Sequence, residues 1–495
     1  MTWESFLPVA IVLSSMIPGL IIFWIPEKQS QWRTGVNLLG AVVKLVFIAI
    51  VMAGVWRGDT EYEARLSLLP DLDLVLRADG LGLLFVVLSG TLWLVTTIYA
   101  IGYLEHSHSR SRFFAFFSLC VSATMGIALA GNLFTFLIFY ELLTICTYPL
   151  VIHNGTDEAM GGGRTYLAYT LTGGVALLVG VVWLSVIAGP VEFTDGGALG
   201  HVEGHVTALT VIFALFMIGT GVKAAIFPMH GWLPRAMVAP APVSALLHAV
   251  AVVKAGAFGV SRIVIDVYGV DLAQSLNLLL PLLIAACTTV IVGSVLAVFQ
   301  DDLKRRLAYS TVSQVSYVVM GVAIFGPIGA AGGLLHLVHQ GVMKITLFFG
   351  AGAFAETLGV KKVSQMNGIG SRMPWTMAAF TVGALGMIGV PPVAGFISKW
   401  YLGTGAIAAD VDWVVLVLLG SSLLNAIYFL PILYRAWFLP QIDEWPHEEP
   451  GPANWMLVAP PVVTAVAALL LGVFASADFS LLSWVELIIE REYMP

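Results

Sequence analysis

Long apolar segments separated by short polar loops run through the whole of this 495-residue chain. A helix that crosses a bilayer needs about 17–25 residues, and on that basis the pattern predicts about fourteen spans followed by a short amphipathic tail. The predicted spans are 3–25, 33–56, 79–102, 112–130, 132–152, 163–189, 207–238, 240–265, 272–298, 306–325, 328–356, 374–403, 411–438 and 454–475. The pattern therefore predicts an all-α polytopic membrane protein.

Proline interrupts two of these spans. Span 207–238 breaks at Pro228, and span 374–403 breaks at Pro391 and Pro392. Proline removes a backbone donor, and inside a bilayer the freed carbonyl groups must be satisfied by protein or by water in a cavity. Two broken helices are typical of inverted repeats that share a site near mid-membrane. Pairing spans four to eight with nine to thirteen gives the segments 1–110 (first three helices), 111–265 (first five-helix repeat), 266–440 (second repeat) and 441–495 (last helix and tail).

Composition supports the membrane assignment, since 59% of the residues are apolar and only 11% are charged. Soluble domains average about 25% charged residues. Nucleic-acid binding is excluded as a function class. The three cysteines lie far apart in apolar spans, which fits neither a disulfide framework nor a cluster of metal ligands. We therefore expect no cofactor and no bound metal.

Basic residues orient the spans, because Lys and Arg are enriched in cytoplasmic loops. With the N-terminus outside, thirteen Lys and Arg residues fall in inside loops and five in outside loops. No basic stretch precedes the first apolar run, so we interpret 3–25 as a retained span and not as a signal peptide. The count predicts a multi-pass protein of the cell inner membrane with both termini outside.

Ionisable side chains within the spans are the candidate functional residues. A lysine at the bilayer centre costs at least ~2.5–3.5 kcal/mol on insertion scales, so it is a functional hypothesis by default. Lys223 lies just before the first proline break and Lys399 lies just after the second, while Glu141 is the one acid near the middle of a span. The candidate proton-relay residues are Glu141, Lys223, Lys254, His336, His339, Lys344 and Lys399, with His248 as a further candidate; Lys44 is given no role.

These residue types can move a proton. A carboxylate that approaches a buried lysine stabilises its ammonium form, so motion of Glu141 relative to Lys223 would act as a switch. Histidine titrates near neutral pH and suits a relay. The alternative is a buried ion pair that only fixes helix packing. Water between the relay residues would be held by small or polar side chains, for which the candidates are Ser244, Thr311, Ser313, Ser316 and Gln340.

Four stretches resemble one known superfamily. They are FLIFYEL at 136–142, GVKAAIFPMHGWLP at 221–234, APAPVSALLHA at 239–249 and GVPPVAGFISK at 389–399. The resemblance is to the antiporter-like subunits of respiratory complex I, membrane-bound hydrogenases and Mrp-type cation/proton antiporters. It implies fourteen helices, two inverted repeats, a Glu141–Lys223 pair, Lys254 as the middle relay and Lys399 as the terminal group.

The chain also departs from some relatives. Gln340 stands four residues before Lys344, where some relatives carry histidine, and His336 lies eight residues before it. The terminal group is lysine where others have glutamate, and the long lateral helix of the largest complex I subunit is missing. Length and Lys399 are most similar to the D-type subunit of the Mrp class, whereas the link that contains His248 also resembles the hydrogenase branch.

Three hypotheses follow. The first is a proton-translocating subunit of a multisubunit Na⁺ or K⁺/H⁺ antiporter, which would have no catalytic chemistry of its own. The second is an ion-pumping membrane subunit of a redox-driven complex of the NADH-quinone oxidoreductase or hydrogenase type. The third is a scaffold without transport. All three place the chain in the lipid bilayer, and the apolar surface and the resemblance imply other membrane subunits as partners.

Overall fold

Helices form most of the chain, of which the computed structural model describes residues 3–58, 62–70, 72–104, 107–202, 204–441, 444–447 and 453–493. In chain order the elements are α1 (Trp3–Phe23), α2 (Ser30–Arg57), β1 (Glu63–Leu69), β2 (Leu72–Arg77), α3 (Gly80–Tyr103), α4 (Arg110–Ala128), α5 (Leu133–Val151), α6 (Asp157–Ala188), α7 (Val206–Lys223), α8 (Trp232–Arg235), α9 (Ala241–Ala245), α10 (Val252–Arg262), α11 (Val270–Ser275), α12 (Leu279–Val298), α13 (Leu303–Ala323), α14 (Pro327–Leu358), α15 (Ile369–Arg372), α16 (Pro374–Ile388), α17 (Ala394–Ala408), α18 (Trp413–Phe438), α19 (Trp455–Val473) and α20 (Leu481–Tyr493).

Twelve helical segments among the described residues are long and apolar enough to cross a bilayer. Predicted span 306–325 corresponds to α13, whose buried face is rich in hydroxyl and amide groups, so it falls outside the twelve. Predicted span 374–403 divides into α16 and α17, each of 15 residues. The all-α polytopic fold is confirmed, while the number fourteen, the inverted repeats and the four segment boundaries stay predictions. The last segment, 441–495, includes 442–443, 448–452 and 494–495, which lie outside the described residues.

A β-hairpin that the sequence analysis did not predict follows α2. Strands β1 and β2 pair antiparallel with Glu63 opposite Arg77. The charges that suggested a plain loop instead form ion pairs, and the Glu192 carboxylate lies 2.7 Å from Arg65 and 2.6 Å from Arg77. The hairpin and the loop after α6 therefore lie on one face of the molecule, which we call the hairpin side.

Helix α14 lies at the centre of the bundle. It packs against α3, α9, α13, α16, α17, α19 and α20. Nearly all of its 32 residues are buried, including His336, His339 and Lys344. A helix that is buried all round lies in the protein interior and not at the lipid surface. The titratable groups of α14 can therefore be reached only from other helices of the bundle.

Both predicted breaks are present, and side chains satisfy the carbonyl groups that they free. At the first break, between α7 and α8, the Tyr140 hydroxyl donates to the Gly219 carbonyl at 3.0 Å and the Trp232 indole donates to the Val222 carbonyl at 2.7 Å. At the second break, between α16 and α17, the Lys399 ammonium donates to the last two carbonyls of α16 at 3.0 and 2.9 Å. The second lysine is thus part of the structure that terminates α16.

A third irregularity lies in predicted span 240–265, which was expected to be a regular helix. Residues Leu246–Val250 form a π-helical turn, and Ala251 leaves the helical region with φ −122° and ψ −82°. The Ser89 hydroxyl of α3 donates to the Val250 carbonyl at 2.9 Å. No proline or glycine marks this position, because the distortion depends on a hydroxyl from a distant helix.

Candidate functional site

Lys223, the last residue of α7, is fully buried. Its ammonium group donates to the Tyr140 carbonyl and lies 3.3 Å from the centre of the Tyr140 ring. A cation over an aromatic face is stabilised by the quadrupole of the ring. A single tyrosine of α5 therefore provides both the acceptor and the aromatic surface for this lysine.

Glu141 follows Tyr140 on α5 but turns toward α6. The carboxyl group packs against Gly174, where an added Cβ would lie 2.7 Å from the carboxyl carbon. Oxygen Oε1 is buried without a hydrogen-bond partner, and none of the ion pairs within 4 Å among the described residues joins Glu141 to Lys223. The predicted pair therefore lies at the same turn of α5 without direct contact.

Lys254 connects the first half of the molecule to α14. Its ammonium donates to the Leu337 carbonyl at 2.6 Å. Leu337 directly follows His336 and precedes His339 by two positions. His339 is buried, and its Nδ1 atom has no partner among the described residues. The structure therefore brings Lys254 to the backbone between the two predicted histidines.

A chain of side-chain hydrogen bonds starts at Lys344 and leads toward the second break. The ammonium of Lys344 donates to the Ser310 hydroxyl at 2.8 Å, which lies 2.8 Å from the Tyr428 hydroxyl. Tyr428 donates to the Asn425 amide oxygen at 2.6 Å. The Asn425 amide nitrogen donates at 3.1 Å to a carbonyl of α16 that also accepts from Lys399.

The amide and ammonium at the second break share one acceptor, so the two predicted lysines belong to one hydrogen-bonded network. Lys399 makes one further contact, to the Ser422 hydroxyl at 2.9 Å. Ser310, Ser422, Asn425 and Tyr428 were not predicted as site residues. The detectable signal was the pair of large polar residues at 425 and 428, three positions apart on one face of an otherwise apolar span.

His336 reaches the second break by a separate route. Its Nδ1 atom lies 2.8 Å from the Ser398 hydroxyl, and its Nε2 atom lies 3.2 Å from the Gln314 amide oxygen. Ser398 precedes Lys399 on α17. Among the hydrogen bonds between described residues, none joins His336 to Lys344 directly. The imidazole is therefore nearer to the Lys399 end of the site.

His248 and Gln340 are buried without side-chain hydrogen bonds. Neither ring nitrogen of His248 has a partner among the described residues, and its ring packs against Phe348 at 4.5 Å between ring centres. Both polar atoms of the Gln340 amide are also unpartnered within the described part of the chain. Buried polar groups usually bond to protein or ordered water. These two positions are consequently where the described interior has capacity for water.

The other residues predicted to hold water are occupied by protein groups. Hydroxyls of Ser244, Thr311 and Ser316 bond to carbonyls one helical turn earlier, and Ser313 lies 2.8 Å from the Ser294 hydroxyl. In helices such back-bonding competes with other partners. Of the five predicted residues, all of them described, Gln340 alone keeps both polar side-chain atoms free.

Lys44 lies apart from the site, among α1, α2 and α3. Its ammonium donates to the Ser15 hydroxyl at 2.6 Å and lies 4.2 Å from the centre of the Trp93 ring. Neither contact connects Lys44 to the residues above.

Charged groups cluster where α10 ends on the hairpin side. Arg262 is buried and pairs with Asp79 at 2.7 Å and with Asp266 at 2.6 Å. The sequence analysis treated Arg262 as a loop residue; it is the last residue of α10. The carboxylate of Glu492, on α20, accepts from the Gly196 amide at 3.0 Å. Burial raises the pKa of Glu492 to about 9, and the charge of Asp266 contributes to the shift.

Buried lysines beside two broken helices, inside a polytopic bundle, define an ion-translocating membrane subunit. Comparison with known proteins gives the family. Residues 130–425 match the family described as NADH:quinone oxidoreductase/Mrp antiporter, TM, and the chain belongs to it.

Relatives come from both branches of this family. The chain is 33% identical to "NADH-quinone oxidoreductase subunit N" of Desulforudis audaxviator (strain MP104C), over 94% of this chain and 96% of that protein. It is 30% identical to a probable K(+)/H(+) antiporter protein, the A/B subunit, of Rhizobium meliloti (strain 1021), over 96% of this chain. The chain spans only 49% of the length of that antiporter protein.

Solved structures share the fold along almost the whole chain. A chain of the Mrp complex from Dietzia sp. DQ12-45-1b superposes with a TM-score of 0.85 at 24% identity, covering 100% of this chain and 98% of that one. A chain of the membrane-bound sulfane sulfur reductase, an archaeal respiratory membrane complex, gives 0.86 at 22% identity, with 99% and 98% covered. Both structures are multisubunit membrane complexes, which supports membrane subunits as partners of this chain.

Proposed function

We propose that this protein is the proton-translocating membrane subunit of a multisubunit monovalent cation/proton antiporter of the Mrp type. The observation that carries the proposal is the bonding of its buried lysines. Lys223, Lys254, Lys344 and Lys399 bond to carbonyl or hydroxyl oxygens, and no ion pair within 4 Å between described residues includes a lysine. An ammonium held by neutral acceptors can release its proton without leaving an unpaired carboxylate in the interior.

The proposed path follows these lysines. Glu141 acts as a charge near Lys223 whose distance sets whether that lysine keeps its proton. Lys254 passes the proton to α14, where His336, His339 and Lys344 lie. Lys399 is the terminal group, and His248 with Gln340 provides room for water beside α14. In this scheme the two five-helix segments at 111–265 and 266–440 each supply one broken helix to the path.

The finer parts of the proposal rest on the sequence. The D-type subunit is the proposed one, because of the length of the chain and of Lys399 at the terminal position, and Na⁺ or K⁺ is the proposed exchanged cation. The count of basic residues supports placement in the cell inner membrane with both termini outside, which puts the hairpin side outside.

Vesicle transport tests this proposal. The whole complex is reconstituted with Lys223→Ala, and with Lys362→Ala, in an exposed loop, as the matched control. We expect Lys223→Ala to abolish cation-dependent proton exchange and Lys362→Ala to retain it. Intact exchange in both Lys223→Ala and Glu141→Gln would leave only the scaffold hypothesis.

A redox-driven pump is the second candidate. The observation in its favour is the 96% coverage of a relative named as a quinone oxidoreductase subunit. The composition of the purified complex separates the two candidates, because a redox pump must contain electron-carrying subunits. Proton uptake that requires quinone reduction and not a cation gradient would replace the antiporter proposal with this one.

A further inference from the structure

An apolar crevice opens between α2, α3, α14, α19 and α20. Its volume is about 630 Å³, and none of the residues that line it is charged. The side chains along its walls include Leu84, Val87, Val338 and Ala467. Such a crevice in a membrane protein is filled either by lipid or by another apolar segment.

The dimensions of the crevice identify the occupant. Along α3 its lining runs from Leu83 to Val95, which is about 18 Å at 1.5 Å per residue. One leaflet of the hydrocarbon core is ~15 Å thick, half of about 30 Å. The crevice therefore extends from one membrane surface to about mid-membrane, as the acyl chains of a single leaflet do.

The width excludes a partner helix. A volume of 630 Å³ spread over about 18 Å gives a mean cross-section of about 35 Å², whereas a helix at least ~10 Å across needs about 80 Å². A cavity of ~150 Å³ accepts benzene, so this one has room for roughly two dozen carbon atoms. That is the scale of one fatty-acyl chain or slightly more.

Aromatic residues mark the end of the crevice on the hairpin side. Trp56 stacks on Trp484 with ring centres 5.5 Å apart and planes at 17°. The Trp484 indole donates to the Gly80 carbonyl at 3.0 Å, which fixes α20 over this end. Tryptophan is enriched at the level of lipid headgroups, so this end lies where a headgroup would lie.

The deep end of the crevice reaches the central helix. Val338 and Val342 of α14 line it, and Val338 directly precedes His339. The walls here offer few partners to water, because the polar side chains that line the crevice are Thr91, Thr464 and Ser480. An occupant without polar atoms suits this surface better than water does.

We propose that the crevice binds an acyl chain of a phospholipid from the leaflet on the hairpin side. The bound chain covers this face of α14 and keeps water away from the interior beside His339. Binding does not depend on the proposed function; only the consequence for proton leakage rests on it.

Photolabelling tests the proposal. The whole complex is placed in nanodiscs that contain a phospholipid with a diazirine at the end of one acyl chain, and the labelled residues are mapped by mass spectrometry. We expect labels on Val338 and Val342, which lie too deep for lipids that only surround the protein. Wild-type labels confined to exposed positions such as Leu470 would overturn the proposal without any variant having to fold.

Two neighbouring positions on α19 give a matched pair of variants. Ala467 lines the crevice, whereas Val466 is 48% exposed and does not line it. We expect Ala467→Trp to lose the label on α14 and Val466→Trp to keep it. Equal labelling in the two variants contradicts the proposal, as does loss of the wild-type label on addition of an isoprenoid quinone, which would identify a quinone tail as the occupant.

The functional consequence has its own readout. Passive proton leak is measured in vesicles without a cation gradient after the bound phospholipid is stripped with detergent. Leak that rises on stripping and falls on return of phospholipid supports the sealing role. Positive photolabelling without any change in leak would keep the site and remove its link to proton transfer, whereas failure of Lys223→Ala to affect exchange would leave the labelling result untouched.

Discussion

The Tyr428 hydroxyl is the one group that connects Ser310 to Asn425 in the chain of hydrogen bonds from Lys344 toward the second break. It lies 2.8 Å from the Ser310 hydroxyl and donates to Asn425 at 2.6 Å. Tyr428→Phe removes this oxygen and keeps the ring, so packing changes little. If protons pass along the chain, this variant should slow transport.

The magnitude follows from the two bonds that are lost. A buried hydrogen bond contributes about 0.5–1.5 kcal/mol net, and an unsatisfied buried group costs about 1–3 kcal/mol. We expect the free energy of unfolding to fall by about 1–3 kcal/mol. A barrier raised by a similar amount slows transfer on the order of tenfold to a hundredfold, since about 1.4 kcal/mol corresponds to a factor of ten.

A double-mutant cycle distinguishes a shared chain from two separate defects. Proton exchange is measured in vesicles of the whole complex for Ser310→Ala, for Tyr428→Phe and for the double variant, at equal protein content. Members of one chain couple, so the double variant should be no slower than the slower single variant. Tyr434→Phe, on the same helix with 57% exposure, is the control. A Tyr428→Phe rate equal to the control rate would refute the chain.

Two further predictions concern Glu141 and Glu492. Gly174→Ala should displace the Glu141 carboxyl group and reduce proton exchange, whereas Gly161→Ala, on the same helix with open space around it, should not; equal rates in the two alanine variants would count against the observed orientation of Glu141. Because burial raises the pKa of Glu492 from 4.5 to about 9, the folded chain holds a proton that the unfolded chain releases, so stability should fall as pH rises from about 4.5 to 9. Glu492→Gln should weaken that dependence, which thermal unfolding at pH 6 and pH 9 measures; identical shifts in wild type and variant would contradict it.

The sequence predicted the features that depend on single residues. Pro228 and Pro391 mark both breaks because proline acts locally on the backbone. The buried lysines were recognisable because charge is rare within spans. Family membership followed from short motifs around these same residues, and the comparison confirmed it.

Features that depend on distant partners were not predictable. The distortion at Ala251 involves a hydroxyl from α3, and the position of Glu141 depends on the space left by Gly174 of α6. Tyr428 gained its place in the site from Ser310, 118 residues earlier in the chain. Hydropathy reports whether a residue is buried but not which polar group it meets.

The bond between Trp484 and Gly80 has a consequence for biosynthesis. The two residues are 404 positions apart in the chain. At ~5–20 residues per second of translation, α20 leaves the ribosome roughly 20–80 s after α3. The nascent α3 therefore waits in the membrane with this carbonyl unpaired and its crevice face uncovered. Assembly of the N-terminal helices is completed only when the C-terminal helix has been synthesised, so these two ends of the protein fold as one late unit.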